Sequence, residues 1–127
     1  MITGAHFLLY SNDADADRAF FRDLLQWQSV NLGENWLIFR VPPAEMAVHP
    51  GSGDFVQRHG DEALLGIVLY LMTDNLAATI QSLEKRGIRC SPVVRAEWGS
   101  STTLRLPSGG HIGVYQPTHL TAIEQQP

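Results

Sequence analysis

Apolar and polar positions follow the same order twice along this chain. The first copy runs apolar from His6 to Tyr10, breaks at Ser11-Asn12-Asp13, and continues through Ala16, Phe20, Phe21, Leu24 and Leu25 at helical spacing. The second, about 62 residues on, runs apolar from Val68 to Met72, breaks at Thr73-Asp74-Asn75, and continues through Leu76, Ile80 and Leu83. Asp13 is a candidate N-cap, with Asp15 and Asp17 complementing the dipole in the first turn; Asp74 or Asn75 takes that place in the second copy, where Gly87 stops the helix. Strands are predicted over 5–10 and 68–72. After each helix come three more, near 28–32, 36–41 and 45–49 and near 91–95, 102–106 and 111–116, separated by Gly- and Pro-containing turns. Residues 50–63, rich in Gly and Asp, read as a linker.

The expected architecture is α+β: two βαβββ repeats in one domain of 127 residues. The first module covers about 4–50, the linker 51–63, the second module about 64–117, and a polar tail 118–127. Strand alternation then sorts side chains onto two faces. Met46 and Val48 match Ile112 and Val114 on a face that should lie under the helices. Glu45, Ala47 and His49 match His111, Gly113 and Tyr115 on the other, which Val68, Tyr70 and Met72 share. A sheet with one helix-covered face and one mixed, concave face is a container for a small molecule.

Composition narrows the partners. The formal net charge is −4 and no Lys/Arg cluster appears, which argues against nucleic acid. The longest apolar stretch, around 64–72, is too short to span a bilayer, and the first residues lack the basic segment of a signal peptide. One cysteine, Cys90, cannot form an intrachain disulfide and suits a reducing cytoplasm. Candidate ligand contacts are few. Trp36 and Arg40 share one strand face, and Tyr70 and Tyr115 project into the expected cup, where aromatic rings could stack a flat or cationic ligand or simply fill the space. Trp98 precedes a strand, as a lid, a stacking ring or a packed loop residue. Arg105, with Thr103 on its face, could clamp a carboxylate or phosphate, or pair with an acid such as Glu45.

Three features together resemble the vicinal oxygen chelate superfamily of glyoxalases, extradiol dioxygenases and bleomycin-resistance proteins. They are His6 on the first strand, D-A-D-R-A-F-F-R-D-L-L-Q-W at 15–27 (family pattern S-x-x-F-Y-x-x-x-L-G-W), and L-P-S-G-G-H-I-G at 106–113 (family pattern D-P-D-G-x-x-I-E). The resemblance implies paired modules whose curved mixed sheets form a cup, in homodimers, with enzymes of the superfamily holding a divalent metal through four strand positions. Here those positions fall on His6, Ala47, Val68 and Gly113, and only His6 can ligate. The favoured expectation is therefore a cytoplasmic, metal-independent binding protein without cofactor, not an enzyme, that sequesters an aromatic or amphipathic compound. Two alternatives stay open. One is a glyoxalase- or dioxygenase-like enzyme with a displaced Zn, Fe, Ni or Mn site on His6, Glu45 and His111, with His49 as a further donor; the other is a non-catalytic protein-interaction module.

Overall fold

The duplication persists down to individual hydrogen bonds at the two helix starts. A computed structural model describes residues 1–51 and 53–124. Helix α1 (Ala14–Ala19) and helix α2 (Leu76–Lys85) each open on a side-chain cap: Asp13 accepts from the Ala16 amide at 3.2 Å, and Asn75 from the Ala78 amide at 3.0 Å. In each, a hydroxyl two residues earlier accepts the cap's own N–H at 3.1 Å, Ser11 in one and Thr73 in the other. That hydroxyl also meets the side chain six residues on, Ser11 with Asp17 at 2.6 Å and Thr73 with Thr79 at 2.7 Å. Every equivalent pair lies 62 residues apart.

The chain forms two compact units, Met1–Val41 with Arg105–His111, and Pro42–Leu104 with Ile112–Pro127. In the first, α1 widens into a π-helical turn, Phe20–Leu24, which buries Phe20 and Phe21. Trp27 stacks on Phe21 with centroids 5.0 Å apart, and Phe39 adds a third ring at 5.8 Å. The turn ends on Gln26, at φ 59°, where the family pattern has Gly. Strands β1 (Ser29–Asn31) and β2 (Leu37–Phe39) pair antiparallel across a turn in which Gly33, Glu34 and Asn35 all have positive φ. The turn following Arg105 is tied to α1 through the buried Asp17, whose carboxylate accepts the Ser108 amide at 3.0 Å.

The second unit is built on four neighbouring strands in the order β5 (Tyr70–Met72), β8 (His111–Pro117), β7 (Gly99–Arg105), β6 (Val94–Ala96). β5 runs parallel to β8, with Tyr70 opposite Gly113, and β6 antiparallel to β7. The expected alternation holds on these last strands: Thr102, Leu104, Ile112 and Val114 are buried, whereas Thr103, Arg105 and His111 are exposed. Asn75 caps α2, and Gly87, at φ 83°, closes it while the Ile88 amide reaches back to the Leu83 carbonyl.

Three expectations are corrected. Segments 5–10 and 45–49 are not strands, and Leu8, Met46 and Val48 are exposed. β propensity alone makes no strand, because a ladder needs a partner edge for its hydrogen bonds. The expected linker holds a hairpin, β3 (Val56–His59) with β4 (Glu62–Leu65), joined through Gly60-Asp61 with Gly60 at φ 64°. The Gly-first two-residue turn was its signal, masked by a Gly- and Asp-rich composition. The polar tail includes a 3-10 turn, Ala122–Glu124, and its last residues, 125–127, lie outside the described ones.

Candidate functional site

The second unit gathers three half-exposed aromatic rings around one another. Tyr70 enters from β5, Tyr115 from β8, and Trp98 from the two-residue turn between β6 and β7. Centroids of Tyr70 and Tyr115 are 5.6 Å apart, those of Trp98 and Tyr115 5.6 Å, and those of Tyr70 and Trp98 6.4 Å, with interplanar angles of 89°, 73° and 73°. These are edge-to-face contacts at favoured spacing. Tyr70 remains 43% and Trp98 45% exposed, so the rings pack on each other without being sealed from solvent.

The backbone holds this arrangement. The Trp98 carbonyl accepts the Thr118 amide at 3.0 Å, and the Thr118 hydroxyl donates to the Glu97 carbonyl at 2.6 Å, so the turn carrying Trp98 is fastened to the end of β8. Gly99 follows at φ 151°, where a Cβ would run into the Gln116 carbonyl. Gly113 provides the floor beneath Tyr70. A Cβ there would fall 2.9 Å from the ring's Cγ and closer still to Cδ1 and Cε1. An aromatic ring thus occupies the space into which the resemblance would send a metal-ligating side chain.

Glu45 completes the cluster. One carboxylate oxygen accepts the Tyr115 hydroxyl at 3.2 Å and the other the Ala122 amide at 2.7 Å. Burial first, then this hydrogen bond and the carboxylate charge, push the Tyr115 phenol above its ordinary pKa. His119 lies beside Tyr115, with centroids 6.3 Å apart.

The remaining candidates are placed as follows. Thr103, also in the second unit, is exposed on β7, and its amide donates to the Ser91 hydroxyl at 2.8 Å. Trp36, Arg40 and Arg105 belong to the first unit. There the Arg18 guanidinium stands 4.8 Å over the Trp36 ring and takes one of its faces, and Arg105 reaches toward Gly109. Arg40 is exposed.

The potential metal donors are divided between the two units. His6 and His111 are exposed in the first unit, the His49 ring is bonded to the Pro50 carbonyl at 2.6 Å, and both Glu45 oxygens are engaged. Among the described residues no three His, Cys, Asp or Glu side chains stand close enough to hold an ion. Neither unit by itself brings three of these donors together, and a divalent metal needs at least three converging ligands. Cys90 is half-buried, and burial followed by the Glu84 charge pushes its thiol pKa up, away from the reactive thiolate. The depression beside it, about 330 Å³ and lined by Glu84, Gly87, Ile88 and Arg89, offers no ring to a ligand. Among the described residues no helix is long and apolar enough to cross a membrane.

No family model and no curated protein matches the sequence. Solved structures do match in fold. TnmS3, an antibiotic-binding protein from Streptomyces sp. CB03234, superposes with a TM-score of 0.60 at 18% identity, over 93% of this chain and 100% of that one. A lactoylglutathione lyase from Agrobacterium tumefaciens gives 0.56 at 21% identity, over 85% and 88%. A glyoxalase/bleomycin-resistance protein from the same Streptomyces strain gives 0.51 at 18%, over 84% and 93%.

Proposed function

We propose that this chain, which has the fold of the glyoxalase/bleomycin-resistance proteins, is a small-molecule binding protein whose ligand rests on Tyr70, Trp98 and Tyr115. The observation that carries the reading is the half-exposed ring cluster: three large amphipathic side chains packed edge to face, with part of their surface still open to solvent. The likeness to an antibiotic-binding protein supports an aromatic or amphipathic compound as ligand, held by sequestration. Binding without metal belongs to the same reading, because Gly113 stands where the resemblance would place a metal ligand, under the Tyr70 ring. So do one domain of two modules, a cytoplasmic setting and a homodimer.

The test is a thermal-shift screen with aromatic antibiotics, followed by titration of hits by calorimetry. A ligand present at 100 times its Kd adds about 2.7 kcal/mol of stability. Tyr70→Ala and Trp98→Ala should each weaken a hit about tenfold, and dialysis against a chelator should leave its affinity unchanged. Absence of hits, or variants that bind like the parent, would refute the reading. Loss of binding on chelation would overturn its metal independence.

A further inference from the structure

We infer that the corner formed by Tyr70, Trp98 and Tyr115 beside Glu45 is a site for an organic cation of the methylated-ammonium class. This rests on the small-molecule reading above and narrows its ligand. The three rings stand at 89°, 73° and 73° to one another, so they present differently directed aromatic surfaces and no flat stacking slot. A slot suits a planar neutral ligand. A corner suits a compact, roughly spherical charge, which several ring quadrupoles attract at once.

The second observation is the charge on Glu45. The carboxylate is half-buried, and its partners, the Tyr115 hydroxyl and the Ala122 amide, are both neutral. Among the described residues no side-chain cation pairs with it. A partly desolvated carboxylate without a counter-ion favours a cation beside it. Its bond from the Tyr115 hydroxyl also enriches that ring in electron density and deepens the negative potential of the face.

The type of cation follows from hydrogen bonding. A primary ammonium brings three N–H donors that all need acceptors. Here each carboxylate oxygen already accepts one hydrogen bond, and apart from the tyrosine hydroxyls the rings offer only aromatic carbon and the donor-only indole N–H. A methylated ammonium asks for no acceptor and spreads its charge over methyl groups that pack on aromatic faces.

The experiment titrates the full chain with choline and with dimethylbutanol, its uncharged carbon isostere, by calorimetry at low and high salt. Choline should bind about tenfold more tightly than the isostere. Salt should weaken choline alone. Glu45→Gln keeps the side chain's size and one acceptor oxygen, and should remove most of the preference while leaving the isostere's affinity in place. Should that variant fail to fold, the salt dependence of the parent decides. Equal affinities, a preference that survives Glu45→Gln or indifference to salt would overturn the cation assignment; so would silence with both probes. If aromatic antibiotics still bound in any of those cases, the broader binding reading would stand. If they did not, both would fall.

Discussion

Gly113 shows how one residue decides what this site can hold. It lies opposite Tyr70 in parallel register, and the ring covers the space a side chain would take. Gly113→Ala is expected to destabilise the protein by about 1–2 kcal/mol, because the ring must swing aside or the strands must part. In a Tyr70→Ala background the same change should cost almost nothing, since alanine suits a strand at least as well as glycine. Chemical denaturation of the four proteins measures this coupling, expected to be about 1 kcal/mol or more. A cost that persists without the tyrosine ring would show that the backbone, not the ring, excludes a side chain. Glu45 carries a similar lesson. Its strand parity marked it as a potential ligand, but the structure gives it to Tyr115 and Ala122.

Elements whose cause is local match the sequence reading closely. Both helix starts are fixed by bonds spanning at most six residues, so Asp13 was legible as a cap and the second cap narrowed to Asp74 or Asn75, of which the structure uses Asn75. The C-terminal end of the first helix was less legible. A π-helical turn at Phe20–Leu24 rotates the two buried phenylalanines, and the chain leaves through Gln26 in the left-handed region. A residue with a Cβ is strained there and glycine is not. Gln26→Gly should therefore raise stability by about 0.5–1 kcal/mol, after allowance for the extra freedom of glycine in the unfolded chain. A denaturation midpoint that falls would mean that contacts of the Gln26 side chain outweigh its backbone strain. The hairpin of β3 and β4 is the opposite case, local in cause but hidden by composition: Gly60-Asp61 is a two-residue turn within a segment whose other glycines suggest a linker.

At the scale of the whole molecule, two compact units draw on both halves of the sequence, since residues 105–111 belong with 1–41. Leu8, Leu9, Met46, Val48 and Val68 are large apolar side chains left exposed on segments with strand-like sequence. Such surface is what a second copy of the chain would cover, so light scattering should give twice the mass of one chain, and the melting temperature should rise with protein concentration. A concentration-independent melt at the mass of one chain would remove the homodimer from the proposal. The amino-acid order alone determined the duplication, the caps, the alternation of the last strands and the placing of Tyr70 and Tyr115 on one face, because each follows from neighbours a few residues apart. Only the tertiary structure decided that Trp98 and Glu45 join those rings and that Gly113 lies under Tyr70. Those outcomes depend on strand pairing and register between residues far apart in the chain, which no local pattern encodes.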